Sequence, residues 1–308
     1  MIKLVIFDMD GVLRVGSKIL DNVNETLTFL KNNKIPYCIN TNECRYDVNE
    51  LKEDLEEYGL YMEDDTFIYT SSMAVRDYLK NKILRFPNKK FILSIVGESG
   101  LYNCINELCE YNNVKITDNL KNIDLNDSID LSNSASSSDF NTLSPLNNIE
   151  TVKYLIIGTV NKIKITHLEK VLKSIKNNAK VITTCGDACD PSSKGDFVLG
   201  MPNHLLHMVG YNVTAKNYSL GKPHPIHANK ILEHYSKFGI KNEEIMFVGD
   251  TIYTDIRLAE EHNFKSTLVL TGNTKKEAFK YYVTEPDYII SNLGELINVI
   301  KVENKIDV

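Results

Sequence analysis

No stretch of this 308-residue sequence is apolar over enough residues to cross a membrane. Its 35 Lys and Arg residues face 41 Asp and Glu, form no cluster, and leave a net charge of −6, which argues against a nucleic-acid-binding surface. Six cysteines, at 38, 44, 104, 109, 185 and 189, make no regular framework. A chain of this length buries a core without covalent staples, so reduced thiols are expected. Cys185 and Cys189 have no second pair with which to complete a structural zinc site and read as packed thiols. A core strand starting at Ile2 leaves no place for a secretory leader, so the expectation is a cytoplasmic protein with neither membrane nor nucleic acid as partner. Its 43% apolar and 25% charged residues are those of an ordinary globular chain with one large or two modest domains.

What the sequence does have is carboxylates at the ends of apolar runs. Residues 2–7 form a short apolar segment, and Asp8-Met9-Asp10-Gly11 follows at once. Such a run, closed by a glycine turn, reads as a buried strand of a parallel sheet. Open α/β sheets place their sites at strand carboxyl ends, and acids at i and i+2 point to one side. Two buried carboxylates there are costly unless a cation or a reaction uses them. Three further segments answer this one: a strand over 35–41 ending in Thr41-Asn42, the stretch Gly221-Lys222-Pro223-His224-Pro225, and a strand over 245–249 ending in Asp250, with Asp255 five residues on.

Between these motifs strand and helix alternate. Helices are predicted near 22–33, 46–58, from Ser71 or Ser72 as cap to about 79, 225–237, 254–262 and from about 293. Further strands are predicted at 67–70, 266–270 and 288–290. Crossovers of this length imply parallel strands. From Asp8 to Thr41 there is room for one helix only, whereas 181 residues separate Thr41 from Lys222, so a second domain is inserted there. Segments 91–96, 154–157 and 181–182 look like its strands and 100–111 and 166–177 like its helices. The division expected is a core of 1–84 and 216–308 with an α/β cap of 85–215. Residues 118–150, rich in Asn, Ser and Asp and without a period, read as a surface insertion.

The order strand-Asp, strand-Thr, Lys, strand-Asp is that of the haloacid dehalogenase-like (HAD) phosphohydrolases. DMDGVL with Gly16 beyond it, TN after the second strand, YTSSMA at 69–74, GKPHP and VGDTIYTDI resemble the NagD, 4-nitrophenylphosphatase and phosphoglycolate phosphatase branch. The resemblance covers both ends of the chain well and the middle poorly. It implies a Rossmann-like parallel core with a mixed α/β cap between the second and third motifs. It also implies a phosphatase of small phosphate esters, Mg²⁺ as cofactor, and pairing of caps into a homodimer. By the same resemblance Asp8 is the nucleophile and Asp10 the general acid/base, with its backbone carbonyl toward the metal. Asp8, Asp10 and Asp250 hold Mg²⁺, and Thr41, Asn42 and Lys222 bind the phosphoryl group. Asp255 orients Lys222 or a metal-bound water; the plainer alternative makes it a helix-dipole acid. His224 reads as packing or solvated.

Three departures from that pattern stand out. Arg14 replaces a common aromatic, and Glu43 replaces an Asn, placing an acid where a phosphate is expected. The loop 184–200, in the position of the family's selecting loop, has a sequence of its own. Its Asp187, Asp190 and Lys194 are candidates for reading the substrate, as is Arg14 for a substrate with an additional anion. Two rivals are a receiver-like module phosphorylated on Asp8 and a catalytically impaired binding protein, the latter supported by Glu43.

Overall fold

In the computed structural model, which describes residues 1–117, 150–187, 201–211, 219–276 and 285–306, two parallel sheets are built from the predicted alternation. The larger has β1 (Leu4–Phe7) at its middle. On one side follow β4 (Tyr37–Thr41) and β5 (Phe67–Thr70). On the other follow β10 (Ile245–Gly249), β11 (Lys265–Val269) and β12 (Tyr288–Ile290). Every described pairing in it is parallel, with Leu4 opposite Ile245 and Val5 opposite Tyr37. Residues of β1, β4 and β10 are all buried, which is why these strands read as continuous apolar runs and not as alternation. Strand order reverses about β1, so the carboxyl ends of β1, β4 and β10 open on one crevice.

Helices cover both faces. Helix α1 (Val23–Asn32) buries Val23, Leu27 and Leu30 against the sheet. Helix α2 (Val48–Glu57) starts from Asp47, whose side chain accepts from the Asn49 and Glu50 amides while Glu50 returns to the Asp47 amide. Helix α7 (Ile226–His234) and the terminal α9 (Gly294–Asn304) complete the layers. The predicted helix 254–262 is two pieces: a π-helical turn, Ile252–Ile256, and α8 (Arg257–Glu261). The wide turn pulls Asp255 inward, a use to which such turns are often put at functional sites.

The inserted sheet runs β7 (Val114–Thr117), β6 (Lys90–Val96), β8 (Thr151–Ile157), β9 (Lys180–Thr183) and is also parallel throughout its described strands. Helices α4 (Ser99–Asn106), α5 (Ile165–Lys176) and α6 (Pro202–Met208) pack with it. Strand β7 and helix α6 were not expected from the sequence. The first is a four-residue edge strand with three residues half-buried and Lys115 exposed, and the second lies in a stretch without a sustained period. A hairpin of two-residue strands, β2 (Arg14–Val15) and β3 (Lys18–Ile19), was also not expected.

Helix α3 (Ser71–Arg85) extends well beyond the predicted end and buries Val75, Leu79 and Ile83 among Phe91, Leu93 and Tyr154 of the inserted sheet. The cap therefore shares its core with a helix the sequence assigned to the other domain. The insertion over 118–150 lies outside the described residues except for its last position. Among the described residues no helix is long and apolar enough to cross a membrane.

Candidate active site

Three acids and one lysine meet at the crevice. Asp8 follows β1, Asp250 follows β10, and Asp255 comes from the π-helical turn; all are buried. Lys222 Nζ lies 2.6 Å from Asp8 Oδ1 and 2.7 Å from Asp255 Oδ1. Asp255 Oδ2 accepts from the Asp250 and Thr251 amides at 3.2 and 3.1 Å, so this carboxylate is spent on aiming Lys222 and tying the turn to the strand end. Asp250 accepts from Thr251 Oγ1 at 2.8 Å and from the Asn273 amide at 2.6 Å. Two glycines, Gly11 and Gly272, let the backbone come close to the Asp250 side chain. Gly11 has φ +85°, and a Cβ on it would stand 2.4 Å from Asp250 Oδ2.

Burial pushes the Asp8 carboxyl well above the ordinary range. Asp255 and Asp250 add to this by repulsion, while Lys222 pulls it back. Burial, then Asp255, raises Asp250 to about 7. Lys222 is raised because its two carboxylate partners outweigh the cost of burying it. Three carboxylates with oxygens within 4.8 Å of one another therefore share one ammonium. All-oxygen donors carrying surplus negative charge in a buried place fit a hard divalent cation, and Asp8 and Asp250 are the members not committed to Lys222's far side.

The second wall is the turn after β4. Thr41 Oγ1 accepts from the Glu43 amide at 3.0 Å. Asn42 Oδ1 accepts from the Lys222 amide at 2.8 Å, and its Nδ2 donates to Asp187 Oδ2 at 2.7 Å. Asn42 thus ties the lysine segment to the cap. Ser71 and Ser72 do not cap α3; Thr70 does, accepting from the Met73 amide at 3.3 Å. The two serines donate to the Asn42 and Cys44 carbonyls at 2.8 and 3.2 Å and brace the turn from behind.

Glu43 does not confront this site as an unpaired charge. Its carboxylate accepts from the Cys44 and Arg45 amides at 2.8 and 2.6 Å and from Arg45 Nε at 3.0 Å. Burial alone would raise it, but hydrogen bonds and charge from Arg45 hold it below the ordinary carboxyl range. Arg14 has its Nε 3.0 Å from Asp10 Oδ1 and its Nη2 3.9 Å from Glu43 Oε2, with the side chain 6% exposed. A guanidinium so deeply buried needs carboxylate partners.

Core and cap border an open cleft lined by Asp8, Asp10, Thr41, Asn42, Glu43, Lys222 and Asp250. Its cap side is Thr159, Cys185, Asp187 and Met201, with Arg45 and Asn273 at the margins. Of the proposed selecting residues Asp187 lines this space, while Asp190 and Lys194 lie outside the described residues. Cys185 is a buried thiol with its pKa raised by burial. Sequence reasoning missed Thr159, Met201, Arg45 and Asn273. Only Asn273 left a usable signal, lying a few residues past the carboxyl end of β11 beside a glycine.

Comparison with known proteins agrees with this geometry. A haloacid dehalogenase-like hydrolase family model matches residues 5–111, and a HAD-hydrolase-like model matches 219–296. An acid sugar phosphatase of Staphylococcus saprophyticus is 23% identical over 295 residues, 96% of each chain. A dihydroxyacetone phosphatase of Corynebacterium glutamicum is 22% identical over 94% of this chain and 88% of its own. The crystal structure of a 4-nitrophenylphosphatase from Thermotoga maritima shares the fold, with a TM-score of 0.69 at 24% identity over 96% of this chain and 97% of the other. The matched segments carry the DMD, TN, lysine and GD motifs whose side chains meet in the crevice, and this chain belongs to the haloacid dehalogenase-like hydrolases.

Proposed function

We propose that this chain is a magnesium-dependent phosphatase that cleaves small phosphate monoesters through a phosphorylated Asp8. The observation that supports it most is Asp8 at 2.6 Å from Lys222, beside Asp250, at the ends of adjacent parallel strands. An Asp8 oxygen attacks phosphorus as the ester P–O bond breaks, and Asp10 gives a proton to the departing alkoxide. Asp10 then takes a proton from water, the water oxygen attacks phosphorus, and the Asp8–phosphorus bond breaks to return the carboxylate and inorganic phosphate. Lys222, Thr41 and the Asn42 amide hold the phosphoryl oxygens. Asp8 and Asp250, with the Asp10 carbonyl, would hold Mg²⁺, which supplies positive charge against the repulsion between carboxylate and phosphate.

The core assignment 1–84 and 216–308 and the cap assignment 85–215 go with this reading, and Asp187, Asp190 and Lys194 are its selecting residues. Phosphoglycolate, pyridoxal phosphate, a nucleoside monophosphate and a sugar phosphate are the candidates, and relatives named for acid sugar and dihydroxyacetone phosphatase activity favour the last class. Pairing through caps would make a homodimer.

The test is phosphate release from a panel of these esters and 4-nitrophenyl phosphate, with Mg²⁺ and with a chelator. Turnover that needs Mg²⁺ is expected. Full turnover after chelation would remove the metal from the reading, and labelled Asp8 with no phosphate release would leave a receiver-like module.

A further inference from the structure

The two departures from the family pattern, Arg14 and Glu43, are 29 residues apart in sequence and adjacent in space. They belong to a row of alternating charge: Asp10, Arg14, Glu43, Arg45. Arg14 Nε lies 3.0 Å from Asp10 Oδ1, and Arg14 Nη2 faces Glu43 Oε2 at 3.9 Å. Glu43 Oε2 in turn receives Arg45 Nε at 3.1 Å and Nη2 at 2.5 Å. Arg45 Nη1 reaches Asn161 Oδ1 of the cap at 3.3 Å, and the Arg45 carbonyl accepts from the Gly100 amide at the start of α4 at 2.9 Å. The side chains of Arg14 and Glu43 are 6% and 2% exposed.

The backbone holds the first link as well. The Gly11 amide donates to the Arg14 carbonyl at 2.7 Å, and the Arg14 amide to the Met9 carbonyl at 3.2 Å, so Arg14 is clasped to the segment that carries Asp10. Two carboxylates, Asp10 and Glu43, and two guanidiniums, Arg14 and Arg45, make the row neutral as a whole, as charges this deeply buried require. Glu43 is compensated in the first place by Arg45 and by the Cys44 and Arg45 amides, so its carboxylate is fixed where it faces Arg14. Each has a close partner of its own, Asp10 for Arg14 and Arg45 for Glu43, and the 3.9 Å contact joins the two pairs into one row.

We propose that Arg14 is a positioning residue for Asp10, and that Glu43, gripped by Arg45, keeps Arg14 in place. This rests on the reading of Asp10 as the acid that protonates the leaving group. Its consequence concerns the leaving group. A carboxyl held at the alkoxide matters most for a basic alcohol and least for 4-nitrophenol, whose anion departs with little help. The ratio kcat/KM covers the steps up to alcohol release and so isolates the proton donation from the later attack by water.

The experiment measures kcat/KM for a series of monoesters from 4-nitrophenyl to simple alkyl phosphates, with thermal melting of each variant alongside. Arg14→Gln is expected to lose about threefold on 4-nitrophenyl phosphate and about thirtyfold or more on an alkyl phosphate, within the range that placed acid catalysis supplies. Arg14→Lys and Glu43→Gln should steepen the same dependence less. Equal losses across the series with wild-type melting, or no loss anywhere, would overturn the proposal. If Arg14→Gln does not fold, Arg14→Lys and Glu43→Gln decide the matter by the same criterion. A wild-type protein that releases phosphate from none of the esters would instead overturn the phosphatase reading, and this proposal with it.

Discussion

The core sheet and the cap sheet are built alike and equipped differently. Both are parallel, and both turn strand ends toward one cavity: β1, β4 and β10 from the core, and β8 and β9 from the cap. The core ends carry Asp8, Thr41 and Asp250, with Lys222 and Asp255 packed among them. The cap ends bring a hydroxyl from Thr159, a thiol from Cys185 and a carboxylate from Asp187, joined by the thioether of Met201. Concentrated, mutually compensated charge suits a group every substrate shares. A sparse and varied lining suits the part that differs between substrates. Asn42 joins the two, one end on the Lys222 amide and the other on Asp187.

The largest effect should come from damage to the core side. Asp8→Asn keeps the shape of the side chain and removes its charge, so phosphate release should fall by about a thousandfold or more on every ester, with the far-ultraviolet circular dichroism unchanged. A variant retaining a tenth of wild-type turnover would rule out attack by Asp8. A change on the cap side should be smaller and selective. Asp187→Ala removes one polar contact, worth about 1–3 kcal/mol, so kcat/KM on the best ester of the panel should drop about tenfold or more. On 4-nitrophenyl phosphate the loss should be a few-fold, reflecting only the slackened Asn42. Equal losses on both would assign Asp187 to the phosphoryl grip, and the contrast between the two sheets would fail.

The smallest effect probes the core side through stability. His227 is fully buried behind Lys222, with Nε2 3.0 Å from the Leu220 carbonyl and Nδ1 accepting from Asn40 Nδ2 at 2.9 Å. Burial lowers its pKa to about 3. Between about 3 and the ordinary 6.5 the unfolded chain binds the proton and the folded one does not, so stability rises with pH across that window and is lost as pH falls through it. At pH 5 the loss is about 2 kcal/mol, from a shortfall of roughly 1.5 pH units at about 1.36 kcal/mol each. His227→Gln should therefore shrink the difference in urea-unfolding free energy between pH 7 and pH 5 by about that amount. An unchanged difference would show that other groups set the acid limb.

Much of the site was legible because strand ends announce themselves locally. The runs before Asp8, Thr41 and Asp250 are apolar on both faces, and each stops at a polar residue or glycine. The long gap before Lys222 located the inserted domain by arithmetic alone. Less legible was which sheet a helix serves. Helix α3 follows β5 directly, yet its Val75, Leu79 and Ile83 pack against Phe91 and Leu93 of the cap, and the spacing of apolar residues tells which face is buried but not against what. The serines at 71 and 72 looked like caps because their position fits one; the carbonyls they brace belong to a turn almost thirty residues earlier.

Order along the chain was enough to determine the alternation of strand and helix, the succession of the motifs and the place of the insertion, because periodicity and spacing are properties of sequence neighbours. What the buried charges meet was decided only in three dimensions. Arg14 and Glu43, each an irregularity when read singly, are compensated by Asp10 and by Arg45 respectively, and face one another across 3.9 Å. Charge pairing acts through space at a few ångströms and at low dielectric, where the partner can lie anywhere in the sequence.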